Sequence, residues 1–484
     1  MSSKLSDQEG KLLWGGRFEE PVDKSFLDYS TSIEADRRLY IYEIAQSIAH
    51  ARMLAESGIL SAKELNAIEH GLFDILNEFL SGTFTIIPTD EDIHTAVERR
   101  LTELVPDLAP KLHAGRSRNE QIVVDLRLFC KFEGLRLLDV LLDLIGVLGR
   151  RSAEERTTLM PGYTHMQRAQ PITLGYWFAA HAEGFIRDVK RLKFAIEQAD
   201  VCPSGAAALA GSTLDLDLHV MERELGFSRS CFNFMDAVSD REFVAELIYA
   251  CSTIMLHISR LAEEVILWST KEFGFVKLPD ALSTGSSLMP QKRNPDLPEL
   301  ARGRTAAVLS SLFGLLTLIK SLPFSYNRDF QENTRYLYQA VDVTYSTLKL
   351  VKVFIDKIDF DREAMAVAAD DPHLLATDVA EALVRNGVPF RHAHQRVGKT
   401  LLSLEKSGNL SIGRLMQELE IQEKITPEQA IIRRKAIAGP SPDQVASRIS
   451  IVEDYIRNQR NWLTLKYRVM TGSALQQVLE VVTR

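Results

Sequence analysis

The strongest constraint on the fold is a series of long stretches in which apolar residues recur at helical spacing. The clearest covers residues 239–272, where the stripe begins with Val244, Leu247, Ile248 and Cys251. A helix of about 30 residues is about 45 Å long, so these patterns predict an elongated helical bundle. The other stretches of this kind are residues 121–152, 172–200, 298–321 and 330–357.

The segments on either side of these stretches are shorter and less regular. We therefore predict an all-α protein, an elongated long-helix bundle flanked by two smaller, mainly helical domains. The predicted divisions are an N-terminal mixed or helical domain over 1–113, the central bundle over 114–365, and a C-terminal small domain of shorter helices over 366–484. Wide apolar stripes on such long helices are typical of subunit packing as well as of a core, and a monomeric bundle is the alternative.

Capping signals mark several helix starts. Ser61 with Glu64, and Ser239 with Glu242, have the spacing of a capping box. Thr426 and Ser441 each precede a proline, which is typical of an N-cap followed by the first helical residue.

Composition narrows the classes of protein to consider. Of the 484 residues 45% are apolar and 25% charged, and the net charge is −8, which is an ordinary soluble composition. The absence of a Lys/Arg run argues against nucleic-acid binding. The longest uncharged apolar run, between Arg304 and Lys320, is shorter than the roughly 20 residues that span a bilayer.

The cysteines and the first residues point to the compartment. The four cysteines form no CxxC pair and have no histidine at metal-ligand spacing, which fits buried thiols in a reducing compartment. Residues 1–11 are polar and lack an apolar signal core. We expect a soluble, cytoplasmic protein that binds neither nucleic acid nor membrane.

The segment 285–296 combines flexibility with reactive groups. Gly285 allows close backbone approach to a ligand, while Pro290 and Pro295 prevent a continuous helix. Hydroxyls, the Lys292 ammonium and the Asn294 amide together suit an anionic ligand. The alternative is a polar surface loop.

Two further polar clusters precede long helical stretches. Residues 113–121 include Ser117, Arg118 and Asn119 at the predicted start of the first long helix, where free N–H groups favour anions. A plain helix cap with solvated arginines is the alternative reading.

The other cluster, residues 162–171, contains Thr164 and His165. Histidine is the side chain best suited to exchange protons near neutral pH. A lone histidine is nevertheless more often structural than catalytic, so both readings stay open from the residues alone.

The segment 285–296 closely resembles the signature loop of the fumarase/aspartase superfamily, in the form typical of argininosuccinate lyases. Each polar cluster resembles one of three separated regions that form the active site in that superfamily, where they come from three subunits of a homotetramer. The resemblance covers essentially the whole chain, and its other matching blocks are residues 13–18, 235–241, 326–332, 376–378 and 387–391.

This resemblance implies a β-elimination that splits argininosuccinate into arginine and fumarate, with no metal or cofactor. Ser286 matches the catalytic serine, and His165 matches the catalytic histidine, with Glu299 as the carboxylate that orients it. Lys292 could stabilise the serine alkoxide and the charge on the substrate carboxylate. The resemblance leaves open which member of the Ser286–His165 pair takes the first proton. It implies substrate-binding roles for Ser32, Ser117, Arg118, Asn119, Thr164, Asn294, Tyr326 and Gln331.

The chain also departs from the pattern of these lyases. Thr334 stands where a lysine is frequent, which keeps open a different leaving amine, that is, another N-substituted aspartate. Further departures are Gln46, Val97, Glu120 and the block 203–207. A non-catalytic, crystallin-like structural protein is the remaining alternative, and the intact Ser286 and His165 argue against it.

Overall fold

The computed structural model describes residues 22–483, so the matching block at residues 13–18 lies outside the described residues. Short and medium helices come first: α1 (Lys24–Ser30), α2 (Ile33–Asp36), α3 (Tyr40–Glu56), α4 (Ala62–Ser81) and α5 (Ile93–Leu104). The predicted capping box of α4 is confirmed, since the Ser61 backbone N–H donates to Glu64 Oε2 (2.8 Å) and the Glu64 N–H to Ser61 Oγ (3.4 Å).

The predicted long helices form the centre of the molecule, and the all-α prediction is confirmed. The longest, α6, has 37 residues. The bundle helices pack on one another through a continuous apolar core that also includes side chains of α3, α4, α5 and α19. They are α6 (Arg118–Glu154), α7 (Leu174–Ala199), α10 (Glu242–Trp268), α11 (Asp296–Ile319) and α12 (Asn333–Lys357), with the short α8 (His219–Leu225) and α9 (Phe234–Ser239) before α10.

The predicted capping box of Ser239 and Glu242 is wrong. Ser239 is the last residue of α9, and α10 begins after a turn at Asp240 and Arg241. The Asp240 carboxylate accepts a hydrogen bond from the Glu242 N–H (2.7 Å). Serine and aspartate are both good acceptors for free helix N–H groups, so the sequence alone did not distinguish them.

A close backbone contact joins the end of α6 to the start of α7. A Cβ atom at Gly175 would collide with the backbone of Ser152 and Arg156, so only glycine allows this approach. The Ser152 hydroxyl donates to the Gly175 carbonyl (2.7 Å). This contact fixes the ends of the connecting segment, which folds as an antiparallel hairpin of β1 (Leu159–Thr164) and β2 (Gln167–Thr173).

After the bundle come a second small ladder and further helices. β3 (Val276–Lys277) pairs with β4 (Asp359–Phe360). The following helices are α13 (Arg362–Ala369), α14 (Ala376–Arg385), α15 (Phe390–Lys406), α16 (Ile412–Glu418), α17 (Pro427–Arg433), α18 (Pro442–Met470) and α19 (Ser473–Val482). Residues between Leu375 and Ala430 form a separate apolar core.

Helix α18 corrects the expectation of short helices near the C-terminal end. It has 29 residues and packs along α6, burying Val445, Ile449 and Val452. Its apolar stripe is narrow because it covers only one side of the bundle, and charged residues obscure the helical periodicity. The division into three domains, with boundaries after residues 113 and 365, stays a prediction.

Helix α19 returns to the N-terminal region. Arg52 on α3 donates to Ser473 Oγ (3.3 Å) and to Gln477 Oε1 (2.7 Å). Ala474, Leu475 and Val478 are fully buried in the main core. The N-terminal helices therefore complete their packing with residues from the far end of the sequence.

Within the described residues, α10 is the one helix whose length and apolar content would allow it to cross a membrane. However, 61% of its most apolar stretch is buried inside the protein, as expected for a core helix of a bundle. Cys130, Cys202 and Cys251 are buried and Cys231 is half-buried, and all are free thiols.

Candidate active site

A cavity of about 470 Å³ lies where α2, the starts of α5 and α6, and the segment before α12 meet. It brings together residues that are far apart in sequence, and several of them are predicted substrate-binding residues. Those are Ser32, Ser117, Arg118, Tyr326 and Gln331. Two other polar groups of the lining are His113, from the predicted cluster 113–121, and Thr334, where the chain departs from the lyase pattern. The remaining polar groups were not predicted from the sequence: Asp36, Glu91, Asp92, His94, Thr95, Glu98, Arg328 and Asn333.

The start of α6 supplies one wall of the cavity. Ser117 is the N-cap residue and forms a capping box with Glu120. The Arg118 guanidinium lies 3.2 Å from Asp92 and donates to Thr95 Oγ1 (3.2 Å), so its charge is already paired. Asn119 does not line the cavity, because its amide donates to the carbonyl of Ala208 (3.1 Å).

The segment from Tyr326 to Thr334 supplies the opposite wall. The Gln331 amide and the Arg328 guanidinium both donate to the Ser30 carbonyl, at 3.0 and 2.8 Å, and thereby fasten this segment to the end of α1. Burial raises the pKa of Tyr326, so its hydroxyl stays protonated and can donate a hydrogen bond.

Asp36 differs from the other charged groups of the cavity. Its carboxylate accepts a hydrogen bond from the Ser32 hydroxyl, and burial raises its pKa to about 6. Arg118 is paired with Asp92, and Arg328 lies 3.5 Å from Glu91. Among the described residues, by contrast, Asp36 forms no ion pair, which leaves this end of the cavity suited to a cation.

A buried polar network lies beneath the cavity. His94 Nδ1 is 2.5 Å from Glu43 Oε2, and the Gln46 amide donates to Glu43 Oε2 (2.9 Å) and Asp125 Oδ1 (2.5 Å). Burial and the nearby Glu43 charge raise the pKa of Asp125. Burial opposes ionisation of Glu43 as well, but His94, Arg116 and Arg118 together outweigh it and lower the pKa of Glu43. Gln46, one of the departures from the lyase pattern, is therefore a link between the two carboxyls.

This network is also the one group of potential metal ligands found in the part of the chain that the structure describes. The ligand atoms of Glu43, His94 and Asp125 lie within 4.8 Å of one another. An ion bound there would have to displace the short His94–Glu43 hydrogen bond and the Gln46 amide. The arrangement is that of a satisfied hydrogen-bond network rather than an open coordination site.

His165 lies at the tip of the β1–β2 hairpin. Thr164 pairs with Gln167, so His165 and Met166 form a two-residue turn, and both have positive φ, 54° and 59°. Positive φ at both positions is the signature of a type I′ turn. Such turns usually carry Asn-Gly. His-Met at these two positions does not indicate a turn, so no hairpin was predicted. Thr164, His165 and Met166 are all exposed.

The predicted signature loop is closed at its base by a backbone pair. The Asn294 N–H donates to the Thr284 carbonyl (2.8 Å), and the Asn294 side chain reaches the Gly285 carbonyl (3.4 Å). Inside the loop, Ser286 Oγ accepts hydrogen bonds from the N–H groups of Leu288 (3.2 Å) and Met289 (3.1 Å). Two donors aimed at this oxygen stabilise negative charge on it.

Lys292 and Glu299 are exposed near the loop and the first turn of α11. Neither forms an ion pair within residues 22–483, whereas Arg293 is paired with Asp280 (2.9 Å). No hydrogen bond between described residues joins the His165 hairpin, the 284–296 loop and the cavity. One chain therefore gathers most of the predicted binding residues in one place, but leaves the predicted catalytic residues on two separate exposed segments.

Two family profiles match separate parts of the chain. The family profile described as "Lyase" matches residues 16–310, and the one described as "Argininosuccinate lyase C-terminal" matches residues 373–433. Argininosuccinate lyase of Carboxydothermus hydrogenoformans is 42% identical over 446 residues, covering 90% of this chain and 98% of the relative. That of Moorella thermoacetica is 44% identical over 451 residues, covering 90% and 96%.

Solved structures give the same fold. An EDDS lyase crystallised with formate superposes with a TM-score of 0.81 at 25% identity, covering 95% of this chain and 94% of that one. The 3-carboxy-cis,cis-muconate lactonizing enzyme of Pseudomonas putida gives a TM-score of 0.69 at 18% identity, over 90% and 100%, and shows the fold alone.

The long-helix bundle and the matched profile define a carbon–nitrogen lyase of the fumarase/aspartase superfamily. Within it, the chain belongs to the argininosuccinate lyase family.

Proposed function

We propose that the protein cleaves argininosuccinate reversibly into arginine and fumarate, as a step of arginine biosynthesis. The observation that carries this proposal is the cavity, which assembles Ser32, Ser117, Arg118, Tyr326 and Gln331 from separate segments of one chain. These positions match the substrate-binding pattern of the lyases. The relatives named argininosuccinate lyase align with nine-tenths of the chain.

The charge of the cavity supports arginine as the leaving amine. Asp36 is the carboxylate there without an ion-pair partner among the described residues, and a guanidinium would supply one. Its hydrogen bond from Ser32 holds the carboxylate at the cavity wall. We assign the guanidino group of the substrate to Asp36, beside Ser32.

The chemical step is assigned to the exposed segments. Ser286 and His165 form the proton-transferring pair, with Glu299 orienting the histidine. The N–H groups of Leu288 and Met289 lower the cost of a negative charge on Ser286 Oγ. Lys292, free of ion pairs in the described chain, stabilises the extra charge of the succinyl carboxylate when the carbanion forms. Thr164, Asn119 and Asn294 bind the succinyl part.

The separation of these residues favours a homotetramer with shared active sites. Because one chain leaves the hairpin, loop and cavity apart, the complete site requires neighbouring subunits. The bundle also carries an exposed apolar row on α11, where Leu309, Phe313 and Leu316 are 38%, 74% and 48% exposed at helical spacing. An apolar row of this kind fits helix packing between subunits. The free thiols fit a reducing cytoplasm.

A second candidate keeps the chemistry and changes the amine. Thr334 stands where a lysine is frequent in the family, and a solved EDDS lyase variant of 25% identity binds fumarate. The alternative is therefore a lyase that releases fumarate from another N-substituted aspartate.

The deciding assay follows the ultraviolet absorbance of fumarate after the purified protein is mixed with argininosuccinate, adenylosuccinate or aspartate in parallel. We expect fumarate from argininosuccinate alone. Fumarate from another substrate only would transfer the assignment to that amine, and no fumarate from any would refute the catalytic proposal.

Shared sites have their own test. His165→Asn and Ser286→Ala should each be inactive as pure proteins. Unfolding and refolding the two together should restore part of the activity, because mixed tetramers contain some sites with an intact histidine and an intact serine. A mixture as inactive as its components, despite confirmed mixed assembly, would contradict the sharing of sites.

A further inference from the structure

Asn333, the first residue of α12, is the most unusual polar group of the cavity. It lines the cavity, its exposure is 0%, and both its Oδ1 and its Nδ2 lack a hydrogen-bond partner among residues 22–483. A buried amide without partners is destabilising and rare in proteins. The two unmet atoms therefore point to a polar group that enters the cavity from outside.

The neighbours of Asn333 limit what that group can be. Thr334 is 4% exposed, lines the same cavity, and donates its hydroxyl proton to the Gln331 carbonyl (3.2 Å). Its oxygen can still accept a hydrogen bond. The charged Arg328 on this wall already donates to the Ser30 carbonyl and lies 3.5 Å from Glu91. The side chains that can still form hydrogen bonds, Asn333 and Thr334, are therefore neutral.

An amide is suited to a ligand end that carries a donor and an acceptor together. Its N–H₂ group donates to a carboxylate, and its oxygen accepts from an ammonium group. A zwitterionic α-amino-acid end offers both charges within one residue and has no net charge, which matches a neutral wall.

We infer that Asn333, assisted by the Thr334 oxygen, is a specificity-determining residue that binds the α-ammonium and α-carboxylate of the leaving amino acid. The inference rests on the proposed function and extends it: Asp36 binds the cationic end of the amine, and Asn333 distinguishes an amino acid from a simple amine. At this wall the neutral side chains of Asn333 and Thr334 bind the zwitterion, where a charged lysine is frequent in the family.

The test compares amine partners in the reverse reaction, the addition of arginine, agmatine or desamino-arginine to fumarate. Agmatine lacks the carboxylate and desamino-arginine lacks the ammonium. In Asn333→Leu, which removes both polar atoms at similar volume, we expect the KM for arginine to rise about 10-fold or more, as expected for lost hydrogen bonds to charged groups. The KM for fumarate should change by less than about twofold. The KM values for agmatine and desamino-arginine, which each keep one of the two charged groups, should rise clearly less than that for arginine.

A second variant covers the case in which Asn333→Leu fails to fold. Asn333→Asp keeps the shape, repels the carboxylate and attracts the ammonium, so the preference for arginine over agmatine should fall about 10-fold or more. Asn77→Leu on the exposed side of α4 serves as the control variant, and thermal unfolding checks that each protein is folded.

The outcomes separate this inference from the proposed function. No fumarate from argininosuccinate with the wild-type protein would refute the proposed function itself. An active wild type with an unchanged arginine KM in both variants would refute only the role of Asn333. Equal loss for arginine and agmatine would likewise overturn it, because a purely structural residue affects all amines alike.

Discussion

The cavity and the two exposed segments differ in how firmly the rest of the chain holds their side chains. In the cavity, groups from four parts of the chain are fixed by hydrogen bonds, such as those from Gln331 and Arg328 to Ser30. At the hairpin and the loop, Met166 is 60% and Leu288 85% exposed. Under the proposed function, this contrast means that one subunit would recognise the amine, while the reaction would require neighbouring subunits.

The largest effect that tests this contrast is expected at Ser286. Ser286→Ala should lower kcat about 1,000-fold, because it removes the oxygen that two N–H groups hold ready for proton transfer. Binding of arginine, measured by calorimetry, should be unchanged, since the cavity is elsewhere in the chain. Ser287→Ala is the matched control and should keep normal turnover; equal losses in both would contradict the assignment.

The next largest effect concerns assembly. Leu316→Glu should dissociate the tetramer and abolish turnover, because a buried charge at a helix interface costs several kcal/mol unless it is paired. Light scattering measures the mass. Leu402 on α15 has nearly the same exposure, 51% against 48%, and Leu402→Glu should leave mass and activity intact. An active monomer of Leu316→Glu would show that one chain suffices.

A smaller effect concerns the pH dependence of amine binding. Burial raises the pKa of Asp36 to about 6, and a bound guanidinium would lower it. Binding therefore releases a proton below pH 6, and the KM for arginine should rise by up to about tenfold per pH unit as the pH falls. Asp36→Asn should raise the KM at pH 8 and abolish this slope, whereas Asp74→Asn on α4 should preserve the wild-type profile.

The smallest effect compares two helix caps of the same type. Ser117→Ala and Ser61→Ala each remove a capping box and should lower the free energy of unfolding by about 1 kcal/mol, measured by urea denaturation. Only Ser117→Ala should also raise the KM for argininosuccinate, because Ser117 lines the cavity. If both caps change the KM equally, the effect follows from stability and not from the site.

The long helices could be predicted from the sequence because their apolar residues recur at helical spacing over many turns. The sequence also indicated the start of α6, because the polar cluster 113–121 precedes the first long helical stretch. It missed the hairpin, since a His-Met turn lacks the usual Asn-Gly. It indicated the start of α18 at Ser441 and Pro442 but missed the length of this helix, because charged residues interrupt its apolar stripe. Asn333 has no sequence signal either, because its lack of partners is a property of three-dimensional packing alone.

Asp36 and Asn333 were not among the predicted site residues, because the features that distinguish them arise only from contacts in the folded chain. Asp92 and Arg118 are 26 positions apart in the sequence, and only the fold brings them together. The ion pairs across the cavity join segments that are far apart in the sequence, so no local sequence pattern predicts them. These pairs leave Asp36 as the cavity carboxylate without an ion pair among the described residues.

The return of α19 to the N-terminal helices has a consequence for synthesis of the protein. Arg52 and Ser473, which share a hydrogen bond, are 421 positions apart. While the chain emerges from the ribosome, the part of α3 that packs against α19 therefore stays uncovered until residues 473–482 have been made. Contacts at such long sequence separation are formed late and slowly. A nascent chain that stops before residue 473 lacks this cover for α3, so we expect it to be degraded rather than assembled.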